Sequence, residues 1–101
     1  MSTTAYRYRF GKKVNLQEAE ETLLLAILAA EGLFGEARVR MDAGYVIDSR
    51  LRALVVDAST DVGQAVNGIF TSLALREFGR DAFNVRRVEG KPAHGRREGG
   101  R

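Results

Sequence analysis

Arginine alternates with aromatic residues in YRYRFG, residues 6–11. On an extended strand successive side chains point to opposite faces, so two guanidinium groups share one face and three rings the other. Burying the two arginines without partners would cost several kcal/mol each, whereas each buried ring contributes roughly 1.5–3 kcal/mol. Tyr6, Tyr8 and Phe10 are therefore expected in the core, and Arg7 and Arg9 in solvent. The same alternation recurs twice. In residues 37–48 it places Val39 and Met41 inward and Arg38, Arg40 and Asp42 outward; near the C-terminus it places Phe83 and Val85 inward and Asn84 and Arg86 outward. Leu54 and Val56 of a further strand join the core, with Asp57 on the open side.

Five arginines, 7, 9, 38, 40 and 86, on one sheet face with two acids, Asp42 and Asp57, would grip the phosphate backbone of RNA or DNA. Arg96 and Arg97 in the terminal GKPAHGRREGGR would add sequence-independent contacts. Stacking of bases is not expected, because the rings face inward and no K/R-G-F/Y-G/A-F run occurs. The same arginines also suit a solvated strand face that pairs with its acids and resists aggregation.

Other chemistries lack their residues. There is no cysteine, and the single histidine, His94, lies in the terminal segment. Ser49, Ser59, Thr60 and Ser72 have no base to activate them, and Glu20 and Glu21 diverge by about 100° on a helix, too far for a shared metal ligand. No catalytic residue, metal or cofactor is expected. The charge is local: of 16 Lys+Arg and 13 Asp+Glu, four and one lie from Lys91 onward, so residues 1–90 carry 12 of each and the terminal segment carries the net +3.

The elements that must hold these residues follow from periodicity. Ala5 begins a first strand, and Asn15 with Glu18 three residues on opens a helix that should stop near Gly32 or Gly35. Residues 37–48 read as a long strand bent at Gly44, and RALVVDA as a third. Ser59, Thr60 or Asp61 caps a second helix with Val62, Val66, Ile69 and Leu73 on one stripe, and AFNVRRV supplies the last strand. The order βαββαβ resembles the ferredoxin-like arrangement, an α+β two-layer sandwich with an antiparallel sheet in the order 4-1-3-2 and both helices on one face. Residues 1–89 are expected to form one such domain, and residues 90–101 a flexible basic tail.

The first helix carries more leucine than one buried stripe needs. Leu16, Ala19, Leu23, Ile27 and Ala30 cover the sheet, Leu24 and Leu28 lie to one side, and Leu25 is nearly opposite. Leu24, Leu25 and Leu28 are thus a candidate interface for a second copy or another protein. No apolar run approaches the roughly 20 residues that cross a bilayer, and the short polar start does not read as a signal peptide. A cytoplasmic protein without membrane partners is expected.

Overall fold

The computed structural model describes residues 4–89; residues 1–3 and the basic segment 90–101, with His94, Arg96 and Arg97, lie outside the described residues. Along β1 (Thr4–Phe10) the cost of burying charge decides the facing: Tyr8 and Phe10 are buried and Arg9 is exposed. Helix α1 (Leu16–Phe34) starts where the Asn15 side chain accepts hydrogen bonds from the backbone N–H of Gln17 at 2.8 Å and of Glu18 at 3.2 Å. It ends at Gly35, whose φ of 88° lies in a region open to glycine and costly to other residues.

The segment after Gly35 departs from the expected strand. Residues Glu36–Asp42 form a short helix, α2, and only Tyr45–Asp48 of the long strand exists, as β2. The alternation of Val39, Met41 and Ala43 spans barely two helical turns, too few to separate a period of 2 from one of 3.6. Local charge favours the helix. Glu36 and Arg40 pair at i,i+4, as do Arg38 and Asp42, and the glycine turn allows the chain to restart as a helix. Val39 is buried as expected, though from a helix, whereas Met41 is largely exposed. Val85, also expected inward, stands 42% exposed on an edge strand that the helices do not fully cover.

β3 (Ala53–Asp57) leads to α3 (Asp61–Phe78), capped by Thr60, whose hydroxyl accepts from the Gly63 N–H at 2.9 Å. The first turn of α3 presses on the end of β3. A Cβ at Gly63 would lie 2.3 Å from the Asp57 carbonyl oxygen, so only glycine fits. A 3₁₀ turn, Arg80–Ala82, then feeds β4 (Phe83–Glu89). The four strands pair antiparallel in the order β2-β3-β1-β4. No helix among the described residues is long and apolar enough to cross a membrane.

α1 and α3 pack on one another and on the sheet face that carries Tyr8, Val56 and Tyr45. The Tyr45 hydroxyl donates to Glu20 of α1 at 2.7 Å, and Thr22 of α1 donates to Glu77 of α3 at 2.6 Å. Alanines 19, 26, 30 and 74 are fully buried and let the helices approach closely. Beneath α3 the rings interlock: Tyr8 meets Phe70 edge-on at 4.7 Å between centroids, and Phe10 meets Phe83 at 5.4 Å and Phe78 at 6.0 Å.

Tyr8 also carries polar contacts into this core. Its hydroxyl lies 2.8 Å from Asn67 Oδ1 and 3.0 Å from Thr71 Oγ1, both on α3. Burial pushes its pKa up from 10.0 to about 12, against an opposing influence from the Thr71 hydrogen bond and with a small contribution from Tyr6. The unfolded chain releases this proton near pH 10 while the folded chain holds it to about 12. The stabilisation is therefore complete below pH 10 and drains away as pH rises through about 12, at roughly 1.4 kcal/mol per unit. Urea unfolding of the parent and Tyr8→Phe chains from about pH 9 to about pH 12 should show the parent losing stability relative to the variant across that window; parallel curves would contradict the assignment.

Candidate nucleic-acid interface

With Tyr8 and Phe10 fixed under α3, the residues between them must leave on the other side of the sheet. Register then assembles the cations. Arg7 stands directly opposite Arg86 on β4, and Arg9 opposite Asn84. Arg9 and Arg86 are exposed and Arg7 is half-buried. Among the described residues the ion pairs join Arg38 to Asp42 and Asp61 and Arg40 to Glu36, and none engages Arg7, Arg9 or Arg86. Like charges directly opposite across an antiparallel pair destabilise it by a few tenths of a kcal/mol or more. A bound anion between them would reverse the sign of that interaction.

The face is not uniformly basic. On the β2 and β3 side the positions that share it are Val46, Asp48, Ala53, Val55 and Asp57. Asp57 is buried and accepts from the Ser59 N–H at 2.8 Å and hydroxyl at 2.6 Å, so it is spent on the turn into α3 and does not neutralise the arginines. Asp48 accepts from the Leu51 N–H at 3.2 Å and lies two strands, about 10 Å, from Arg9. The positive charge is thus concentrated on the β1–β4 half. At one end of that half a hollow of about 500 Å³ is lined by Arg9, Arg80 and Asn84 and also by the acid Asp81. Arg80 was not foreseen from sequence, because it belongs to a turn with no periodicity; its only signal is a position just before a strand that carries arginine.

Arg38 and Arg40 do not join this face. They lie on α2, in the helical layer, and their charges are engaged. Arg38 is 3.7 Å from Asp42 and 3.8 Å from Asp61, with its guanidinium 5.0 Å above the Phe34 ring, and Arg40 is 3.1 Å from Glu36. Asp42 leaves the sheet face with them, so the expected five arginines and two acids become Arg7, Arg9 and Arg86 with Asp57 withdrawn. Arg96 and Arg97 fall outside the described residues.

The second candidate surface lies on α1. Leu24, Leu25 and Leu28 are 43%, 58% and 60% exposed. Leu28 is one turn from each of the others, so the three adjoin on the outer side of the helix, away from the buried Ala19, Leu23, Ala26 and Ala30. Among the described residues no group of acids and histidine is arranged to hold a metal. Compared with protein-family models, curated proteins and solved structures, the chain matches none of them.

Proposed function

We propose that this chain is a small non-enzymatic binding module of ferredoxin-like architecture, with α2 as an added helix, that holds nucleic-acid backbone through Arg7, Arg9 and Arg86. The observation that carries this reading is the cross-strand juxtaposition of Arg7 and Arg86 without an ion-pair partner among the described residues. An arrangement that costs stability in the free protein is relieved by phosphate, and the nearby hollow with Arg9 and Arg80 extends the positive surface along the strand direction. The basic segment 90–101 adds further cations to the same chain. Recognition through guanidinium groups on a sheet without outward rings reads the backbone and not the bases, so RNA and DNA would both bind, weakly and with little sequence preference.

Affinities of about 10⁻⁴ to 10⁻⁶ M are expected at physiological salt, falling steeply as salt rises. Fluorescence titration of single- and double-stranded oligonucleotides over a range of salt measures this. Replacing Arg7, Arg9 and Arg86 by glutamine should flatten the salt dependence by about two to three units on duplex DNA, while Arg38→Gln with Arg40→Gln should leave it unchanged. Binding that is absent at low salt, or that follows the α2 arginines instead, contradicts the reading.

The exposed leucines favour a second reading, an assembly subunit that docks a second copy or another protein through α1. Sedimentation decides between states. Under this reading the parent chain is dimeric and Leu25→Glu is monomeric; a monomer in both cases removes self-association.

A further inference from the structure

The helix-facing side of the sheet holds a second polar site. Between α3 and the edge strand β4 lies an open cleft of about 660 Å³, with Gly68 and Thr71 on one wall, Arg87 on the other, and Tyr6, Tyr8 and Asn67 at its floor. That volume falls within the range of small-molecule sites. On the helical wall the cleft is open at Gly68, where an added Cβ would meet nothing within 4 Å.

Its chemistry is divided between rim and floor. Tyr6 and Arg87 stand directly opposite each other across β1 and β4 and so share the cleft side of the sheet. Among the described residues neither the Tyr6 hydroxyl nor the Arg87 guanidinium makes a hydrogen bond or ion pair, which leaves two donors side by side. The floor has the opposite need. Three close oxygen–oxygen contacts link Tyr8 to Asn67 Oδ1 at 2.8 Å, Tyr8 to Thr71 at 3.0 Å, and Thr71 to the Asn67 carbonyl at 2.8 Å. Two hydroxyl protons serve these three contacts and a longer fourth, from Tyr8 to the Asn67 carbonyl at 3.3 Å. The Asn67 amide protons are committed elsewhere, to the carbonyls of Gly63 at 2.8 Å and Asp57 at 3.2 Å. At least one contact therefore lacks a proton, and the floor can accept a hydrogen bond from an incoming hydroxyl.

We propose that this cleft binds a small hydroxylated organic anion, its acidic group on Arg87 and Tyr6 and a hydroxyl on the Tyr8–Thr71 oxygen pair. The site lies on the opposite side of the sheet from Arg7, Arg9 and Arg86, so it stands or falls independently of nucleic-acid binding.

Two-dimensional amide NMR of the full chain tests it, with glucose 6-phosphate as probe and glucose and inorganic phosphate as controls. The sugar phosphate should give saturable shifts centred on the amides of Gly68, Thr71 and Arg87, with each control binding at least about tenfold more weakly, since each lacks one half of the recognition. Arg87→Gln and Gly68→Leu, both at exposed positions, should each weaken binding by about tenfold or more, and Arg7→Gln with Arg86→Gln should leave it intact. No saturable shift with the sugar phosphate, equal binding of inorganic phosphate, or affinity that ignores both cleft variants would overturn the proposal.

Discussion

The contact of Tyr8 with α3 governs the rest of the structure. Its ring packs edge-on against Phe70, its hydroxyl reaches Asn67 and Thr71, and it sits on a strand paired on both sides, with β3 and with β4. Because strand side chains alternate, holding Tyr8 inward sends Arg7 and Arg9 outward, and because β1 is central its register dictates which β4 residues join them. A slip of one residue would bury guanidinium groups and expose three rings. The pairing of Arg7 with Arg86 on one side, and of Tyr6 with Arg87 on the other, follows from that single registration.

The sheet's two sides consequently divide the charge in different ways. On the open side the arginines are uncompensated among the described residues, since Asp57 is drawn into the turn that starts α3 and Asp48 is two strands away. Gly63 belongs to the same turn: its missing side chain lets α3 approach the Asp57 carbonyl, which positions Asn67 one turn later over Tyr8. The helix that orders the core thus also removes the acid that would otherwise weaken the positive face.

Much of this could be read from residue types because the deciding energies are large and local. The facing of β1 rests on the cost of burying charge; the start of α1 rests on the cap at Asn15; the α3 stripe of Val62 and Val66 rests on a helical period kept over several turns. Residues 37–42 read as strand in the sequence because two turns cannot establish a period, and the i,i+4 charge pairs that favour the helix are each worth only a few tenths of a kcal/mol. That error moved Arg38 and Arg40 onto a face they do not share. The cleft was illegible for another reason. Asn67 and Thr71 look like ordinary polar positions on a helix until the fold brings them over a tyrosine about sixty residues away in sequence, as long-range pairing does and local pattern cannot.

Replacing Arg86 with glutamate tests the central claim most directly, because it sets the two consequences of the Arg7–Arg86 pairing against each other. Urea unfolding and oligonucleotide titration of the same variant should show stability raised by up to about 1 kcal/mol, as an opposite-charge pair replaces a like-charge one, while nucleic-acid affinity falls and its salt dependence flattens. Stability that is unchanged or lower, together with binding that is retained, would show that the juxtaposed arginines neither strain the sheet nor hold phosphate.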